Sequence, residues 1–352
     1  MPTPRLEIDL AKLASNAREI QNLYQSKGIE VIGVTKGVCG NPDVAKVLVE
    51  SGIRKLGDSR IRNIRRMREA GVHAQFLLLR TPIPSQCELV VKYADISLNS
   101  EISIIRTLSR IALEHKTTHK IILMVELGDL REGILPSDLH QVITQVLDLK
   151  GIELIGIGAN LACYGGIKPD EKNMDLLSSM ASEVELKFGL SLSYVSGGNS
   201  ANYQWFVAAR DVGKINSVRL GENILLGTEG IERKHIPGLF TNAFTLVAEV
   251  IEFKKKPSKP YGEVGQAAFG NIPEFEDRGE MKRAILGIGI QDVPVSRLSP
   301  RLDIEILGAS SDHTLVNSKG LQLEVGTEVE FDVNYGVLLS AMTSPYVHKV
   351  NK

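Results

Sequence analysis

Lys36 is the residue of this sequence whose type and position most strongly suggest chemistry. It closely follows the apolar run of residues 31–34, so we place it at the end of a predicted strand. If that strand ends at the mouth of an apolar barrel, burial lowers the pKa of the lysine and makes its amine nucleophilic, as imine formation requires. The same lysine could instead leave the strand for solvent, or bind a phosphate as a simple cation.

Two further segments could bind an anion. Residues 196–200 (Ser-Gly-Gly-Asn-Ser) combine glycines, which let a ligand approach the backbone, with hydroxyl groups and a following helix-like stretch. Arg219 lies in a later apolar run and could bind an anion or a ring nitrogen, or form only a surface salt bridge. Pyridoxal 5'-phosphate needs an imine-forming lysine, a phosphate pocket and a partner for its pyridine nitrogen. The combination therefore indicates this cofactor.

The elements that carry these residues repeat one unit between about residues 30 and 220. Each unit is a short β-branched apolar run, a polar turn and a longer stretch with helical spacing. The predicted strands are 30–34, 55–57, 75–79, 96–98, 120–125, 153–158, 193–196 and 217–220. Strands that are apolar on both faces and alternate with helices form a parallel sheet, and eight such units close into a (β/α)8 TIM barrel. An open doubly wound sheet is the alternative, but no GxGxxG motif follows the first strand.

After about residue 239 the pattern changes to alternating runs separated by Gly, Pro and Asp/Asn turns. These runs are 245–253, 283–286, 302–306, 321–323 and 329–334. Residues 254–281 are predicted to form a long loop that is either functional or mobile. We therefore expect an α/β protein with a barrel at residues 9–238 and a C-terminal all-β domain at 239–352, joined by an N-terminal strand at 3–8.

The composition excludes several classes of function. The formal net charge is -1 over 352 residues, which offers no electrostatic basis for binding nucleic acid or an anionic membrane. Cys39, Cys87 and Cys163 show neither metal-ligand spacing nor the pattern of a disulfide framework, so we expect no metal and a cytoplasmic location. The N-terminus lacks the pattern of a signal peptide, and no apolar run is long enough to predict a membrane span.

Five segments carry motifs of a known family. They are VTKGVCGNP at 34–42, GDSR at 57–60 with Asn63 and Ile64, GANLAC at 158–163, SGGNS at 196–200 and RLGE at 219–222. Together they resemble the alanine-racemase-like fold of pyridoxal-phosphate enzymes, and most of all its ornithine racemase branch of amino-acid racemases. The resemblance covers nearly the whole chain.

The resemblance implies roles for single residues. Lys36 holds the cofactor and, once the substrate has displaced it, acts as one base at Cα. Arg219 faces the pyridine nitrogen, and because an arginine stays protonated, that nitrogen stays unprotonated. Arg131 matches an arginine near the phenolic oxygen of the cofactor, and Asn160 stands where alanine racemases have a histidine. The residues matched to phosphate binding are Asn199, Ser200, Gly221, Glu222 and Tyr346, with Gly221 and Glu222 acting through their backbone N–H groups.

The sequence also departs from the family pattern. Two-base racemases have a Gly-Tyr-x-Asp-Gly stretch whose tyrosine acts in the partner subunit, whereas residues 289–293 read Gly-Ile-Gln-Asp-Val. Ile290 therefore replaces that tyrosine, and Asp292, Cys163, Tyr164 or a bound water remain as the second base. Gly40 stands where alanine racemases have a phosphate-contacting tyrosine, which argues against a plain alanine racemase.

The prediction is a pyridoxal-phosphate-dependent amino-acid racemase, an isomerase that forms a homodimer with a shared active site. The branch suggests a diamino acid such as ornithine or lysine, and Glu126 or Asp129 could face its terminal ammonium or be structural. One alternative is a D-amino-acid aldolase on the same fold, which needs a metal. The other is a non-catalytic pyridoxal-phosphate carrier, a type of protein that lacks the second domain.

Overall fold

The computed structural model describes residues 1–267, 269–270 and 272–352. They form two compact units, one of residues 11–241 and the other of residues 1–10 and 242–352. Ala268 and Asn271, which fall in the predicted long loop, lie outside the described residues. Within the described ranges, no helix is long and apolar enough to cross a membrane.

The unit of residues 11–241 is a closed barrel of eight parallel strands. The first strand of the chain, β1 (Arg5–Ile8), belongs to the other unit. The barrel strands are β2 (Glu30–Val34), β3 (Lys55–Asp58), β4 (Gln75–Leu78), β5 (Ile96–Asn99), β6 (His119–Val125), β7 (Ile152–Ala159), β8 (Tyr194–Ser196) and β9 (Ser217–Leu220). β2 pairs with β9 and so closes the barrel. The predicted TIM barrel is confirmed, and each predicted strand matches to within one residue at either end.

Helices alternate with the barrel strands along the chain. They are α1 (Leu10–Gln25), α2 (Pro42–Glu50), α3 (Ile61–Glu69), α4 (Cys87–Tyr93), α5 (Ile102–Glu114), α6 (Leu139–Leu147), α7 (Glu171–Phe188), α8 (Tyr203–Ala208) and α9 (Glu222–Leu226). The start of α2 follows from its sequence: Asn41 Oδ1 accepts hydrogen bonds from Asp43 N at 2.9 Å and Val44 N at 3.1 Å, and Pro42 occupies the first turn. A capping box between Asp170 and Asn173 starts α7 in the same way.

The interior of the barrel is packed with large apolar side chains from many strands. This cluster comprises Ile32, Leu77, Ile96, Leu98, Ile122, Met124, Ile155 and Tyr194. The polar residues considered as a site therefore lie at the carboxyl ends of the strands, where a barrel of this type places its chemistry.

The other unit is built on an eight-stranded sheet. Its remaining strands are β10 (Phe244–Pro257), β11 (Glu280–Leu286), β12 (Ser299–Pro300), β13 (Glu305–Ala309), β14 (Thr314–Asn317), β15 (Glu328–Asp332) and β16 (His348–Asn351). The main path runs β12-β15-β10-β11-β14-β13, and β1 pairs antiparallel with β10 and parallel with β16. Between β10 and β11, the described residues belong to no helix or strand.

The sequence prediction of this unit was incomplete in two respects. The strand expected at 321–323 is absent, while β12, β14 and β16 were not predicted. The unit also contains one helix, α10 (Tyr335–Thr343), whose N-cap residue Asn334 accepts a hydrogen bond from Val337 N at 3.1 Å. The buried side chains of α10 are Val337, Leu338, Ala341 and Met342. Because nearly all of its residues are apolar or small, α10 shows little of the polar-apolar contrast by which a helix is recognised in sequence.

Candidate active site

Lys36 lies at the carboxyl end of β2 and begins a short 3-10 turn, Lys36–Val38. The backbone fixes this corner, because Thr35 N donates to Gly57 O on β3 at 2.9 Å. Burial lowers the pKa of Lys36; Cys163 and Asp58 oppose that change, whereas the charges of Arg131 and Arg219 add to it. The lysine amine is therefore held in a cationic, mostly buried environment, where its neutral form is favoured.

Arg219, near the end of β9, is a buried arginine whose hydrogen-bond partners are neutral. Its Nη1 donates to Ser196 Oγ and its Nη2 donates to Ala159 O at 2.7 Å. Burial lowers the pKa of Arg219 to about 10. The guanidinium therefore still carries its proton at neutral pH, and the ends of β7 and β8 hold it in place.

Arg131 lies in the loop after β6 and pairs with the neighbouring carboxylate. Its Nε and Nη2 both donate to the carboxylate of Glu132, and this hydrogen bonding raises the pKa of Arg131. Cys163 also raises the pKa of Arg131, partly through a side-chain hydrogen bond, so the Cys163 thiol lies beside the Arg131 guanidinium. The negative charge of Glu132 also raises the pKa of Arg219 and so opposes the effect of burial on that residue.

Asn199 connects the loops that follow β7 and β8. Its Nδ2 lies 3.1 Å from Asn160 Oδ1, 2.8 Å from Leu161 O and 3.2 Å from Cys163 Sγ. The Nδ2 atom of Asn160 is buried and has no hydrogen-bond partner. An unsatisfied buried donor costs free energy, so Asn160 presents a donor that a bound molecule could satisfy.

Ser200 provides the polar centre of the segment after β8. Its Oγ accepts hydrogen bonds from Gly221 N at 3.2 Å and Asn223 N at 3.5 Å. Two backbone N–H groups therefore converge on one hydroxyl group. Gly198 has a φ of +104°, a conformation that glycine adopts without strain. The carboxylate of Glu222 pairs with Arg233 at 2.8 Å, so only its backbone is available to a ligand.

Asp292 and Tyr346 belong to the unit of residues 1–10 and 242–352. The side chain of Asp292 is buried, with Oδ1 accepting from Ser344 Oγ at 2.7 Å and Oδ2 from Gly289 N at 3.4 Å. These hydrogen bonds give Asp292 a structural role within that unit. Tyr346 is exposed, and its N donates to Ser344 Oγ at 3.1 Å. A catalytic role for Asp292 and a phosphate contact for Tyr346 stay predictions.

Two carboxylates that the sequence suggested for an ammonium group are bonded to the backbone of loops instead. Glu126 Oε1 accepts from Gly128 N and Leu130 N. Asp129 is 1% exposed and accepts from the N atoms of Cys163 and Tyr164, at 3.0 Å for Tyr164. Both therefore organise the loops that carry Arg131 and Cys163.

Sequence reasoning assigned no role to Asp58 or Glu132. Asp58 ends β3 and lies close enough to Lys36 to raise its pKa. A signal for Asp58 was present, since a polar residue at the carboxyl end of a barrel strand faces the site. In the part of the chain that the structure describes, no group of three or more His, Cys, Asp or Glu side chains is arranged to hold a metal ion.

Comparisons with known proteins agree with this fold. Residues 8–228 match the family model described as "Alanine racemase, N-terminal domain". The chain is 41% identical to an ornithine racemase of Acetoanaerobium sticklandii, over 98% of this chain and 99% of that protein. It is 38% identical to a lysine racemase of Thermotoga maritima, over 99% of both chains. The solved structure of an alanine racemase from Bartonella henselae with covalently bound pyridoxal phosphate superposes with a TM-score of 0.75 at 17% identity, over 100% of both chains.

Proposed function

The chain belongs to the alanine racemase family, and from that premise we propose that it interconverts the enantiomers of a diamino acid, ornithine or lysine, with pyridoxal 5'-phosphate. It is an amino-acid racemase, an isomerase that inverts Cα, as are the two relatives that match it over nearly its full length. The names of those relatives support the choice of a diamino acid. The aldolase and carrier alternatives are not favoured, because the relatives at 41% and 38% identity over nearly the full chain are both named as racemases.

The observation that carries the proposal is the placement of Lys36. Its amine is mostly buried at the carboxyl end of β2, and charges on Arg131 and Arg219 lie near enough to shift its pKa downward. A neutral amine is the form that makes an imine. The surrounding residues also fit the cofactor, since Arg219 supplies a buried guanidinium, Asn160 an unsatisfied buried donor, and Ser200 a hydroxyl group beside two backbone N–H groups.

Each of these residues has a proposed task. Bound pyridoxal phosphate withdraws electrons from the substrate and so makes the proton at Cα acidic. Lys36 holds the cofactor and then takes or returns the Cα proton on one side. Arg219 faces the pyridine nitrogen, and Arg131 lies near the phenolic oxygen. The residues proposed to hold the phosphate are Asn199, Ser200, Gly221 and Glu222, the last two through their backbone N–H groups.

Cys163 is the proposed proton donor and acceptor for the other side of Cα. Its thiol lies 3.2 Å from Asn199 Nδ2 and beside Arg131, and its charge affects Lys36. Asp292 is the weaker candidate, because its carboxylate is already bonded to Ser344 and to the backbone. We further propose that the protein is a cytoplasmic homodimer, as expected for a racemase of this family with three free cysteines.

Racemisation of a panel of amino acids by the purified protein, followed by chiral chromatography, tests the function. Ornithine and lysine should be racemised fastest. The protein should also show the visible absorption band of a pyridoxal imine, and Lys36→Ala should abolish both the band and the activity. Absence of the band after reconstitution with the cofactor would contradict the proposed function.

Exchange of the Cα proton with deuterium from solvent tests Cys163 separately. Cys163→Ala should still exchange deuterium into one enantiomer, through Lys36, while racemisation falls by at least about a hundredfold. Full racemisation by Cys163→Ala would show that another group serves as the second base.

A further inference from the structure

Asp58 is a buried carboxylate at the end of β3 that the proposed mechanism does not use. Its side chain is 0% exposed, and hydrogen bonds reach both of its oxygens. Oδ2 accepts from Thr35 Oγ1 at 2.8 Å. Oδ1 accepts from Arg60 N at 2.9 Å and from Asn63 Nδ2 at 3.0 Å. The donors come from the residue before Lys36 and from the start of α3, so Asp58 ties two strand ends together.

Residues 35–40, the Lys36 corner, also pack closely against Asn63. Gly40 ends this corner with a φ of +58°, and a Cβ atom there would lie 2.6 Å from the Cβ of Asn63. Arg66 Nη2 donates to Asn63 Oδ1 at 2.9 Å, which fixes the orientation of the Asn63 amide. The amide therefore presents its Nδ2 to Asp58, and the Lys36 corner is held from β3 and α3 together.

Asp58 also acts on Lys36 through its charge. The charged and titratable groups that act on Lys36 or respond to it are Cys163, Arg131, Arg219, Asp58 and Glu222. Two of them are permanent cations. Glu222 is already paired with Arg233, and Cys163 lies in the loop after β7. Asp58 is thus the buried carboxylate whose charge, together with that of Cys163, opposes the effect of burial on Lys36.

We propose that Asp58 is a positioning residue for Lys36, fixing the Lys36 corner through its hydrogen bond with Thr35 and supplying a negative charge that partly offsets the cationic surroundings. This role rests on the proposed use of Lys36 as the cofactor-binding residue. Burial raises the pKa of Asp58, and the donors on Arg60, Thr35 and Asn63 together with the charge of Lys36 oppose that rise. The Thr35 hydroxyl lies nearer to Asp58 Oδ2, at 2.8 Å, than to Gly57 O, at 3.3 Å, so it donates to the carboxylate.

Removing this charge should make the Lys36 amine lose its proton more readily. The test is acetylation of the full-length, cofactor-free protein by acetic anhydride across a pH series, with the Lys36 peptide quantified by mass spectrometry. In Asp58→Asn, the pH midpoint of Lys36 acetylation should fall below that of the wild-type protein, because the charge of Asp58 raises the pKa of the lysine. This readout needs neither bound cofactor nor activity.

Glu229→Gln is the matched control. Glu229 is 3% exposed and accepts hydrogen bonds from the backbone N atoms of Ile231, Glu232 and Lys234, as a similarly satisfied buried carboxylate of the barrel unit. Its replacement should cost stability but leave the Lys36 midpoint unchanged. An unchanged midpoint in Asp58→Asn, or an equal fall in Glu229→Gln, would overturn the proposal.

A second pair of variants tests the hydrogen bond alone and stays informative if Asp58→Asn does not fold. Thr35→Val removes the hydroxyl donor at nearly constant shape, whereas Thr35→Ser keeps it. Thr35→Val should bind pyridoxal phosphate about tenfold more weakly than Thr35→Ser in an absorbance titration. Equal affinities would overturn the positioning role. Failure of the wild-type protein to bind the cofactor would instead contradict the proposed function, and the acetylation midpoint does not depend on that binding.

Discussion

Replacing Arg219 by Gln should stabilise the cofactor-free protein while weakening its binding of pyridoxal phosphate. Arg219 is 4% exposed, and its guanidinium donates to a hydroxyl group and a backbone carbonyl rather than to a carboxylate. Its positive charge is therefore buried without a directly bonded counter-ion. Such an arrangement destabilises the fold, and a cofactor that accepts a hydrogen bond from the guanidinium gives a reason for it to persist.

The pKa of Arg219 sets the magnitude of this effect. Burial lowers the pKa of Arg219 from the usual arginine value to about 10. At neutral pH both the folded and the unfolded chain carry the proton, because both pKa values lie above 7, so the folded state bears the whole cost. A difference of about 2.5 pH units corresponds to about 3 kcal/mol. The Gln side chain cannot make both of the hydrogen bonds that Arg219 makes, and this loss lowers the free energy of unfolding by about 1 to 2 kcal/mol. The net expectation is a gain of about 1 kcal/mol.

Urea unfolding of the cofactor-free protein at neutral pH measures this change, and an absorbance titration measures cofactor affinity. The matched control is Arg65→Gln, because Arg65 is exposed on α3, where it pairs with Glu69 across one helical turn and lies over the ring of Tyr93. Its stability should change by no more than about 0.5 kcal/mol and its cofactor affinity should stay the same. A loss of more than about 1 kcal/mol in Arg219→Gln would refute the reasoning from burial. An unchanged affinity would refute the proposed contact with the cofactor.

Two further predictions concern stability. Burial lowers the pKa of His119, whose ring lies 2.8 Å from Ser97 Oγ, to about 4. The contribution of His119 to the free energy of unfolding should be fully present above pH 6.5 and should fall by up to about 3 kcal/mol as the pH drops to 4. The reason is that only the unfolded chain binds the proton in that range. Unfolding midpoints of His119→Gln between those pH values should lack this fall, and a parallel curve would contradict the assignment. Gly40→Ala should cost at least about 2 kcal/mol, and more than Gly71→Ala, since both glycines have positive φ but only Gly40 lies against another residue, Asn63. Equal melting temperatures of the two variants would rule out the steric part of this argument.

The barrel could be predicted from sequence because each of its strands is a short apolar run that ends in a polar turn. The run 217–220 and strand β9 have the same bounds, and the run 55–57 differs from β3 only by the inclusion of Asp58. In a closed barrel every strand is buried on both faces, so the apolar signal is strong in each unit. The second unit was harder to predict because α10 is apolar on most sides and β14 alternates buried with half-buried residues instead of being buried along its whole length.

The carboxyl-end rule located the residues of the candidate site but not their hydrogen bonds. Arg219 bonds to Ser196, 23 residues earlier, and to Ala159, 60 residues earlier. These partners follow from the order in which β7, β8 and β9 close the barrel, which the apolar pattern does not specify. The same limit applies to Glu126 and Asp129, because a carboxylate that binds loop N–H groups and one that binds a substrate ammonium look alike in sequence.

The charges of the site explain why stability and function conflict there. Arg131 and Arg219 both lower the pKa of Lys36, and Arg131 also lowers that of Arg219. A chain under selection for stability alone would not keep Arg219 buried beside other cations. A dianionic phosphate and an amino-acid carboxylate would reverse this balance, because each brings negative charge into a region that the fold leaves positive. The cofactor-free protein should therefore be the less stable state, and the charge of the buried Asp58 partly offsets the cations around Lys36.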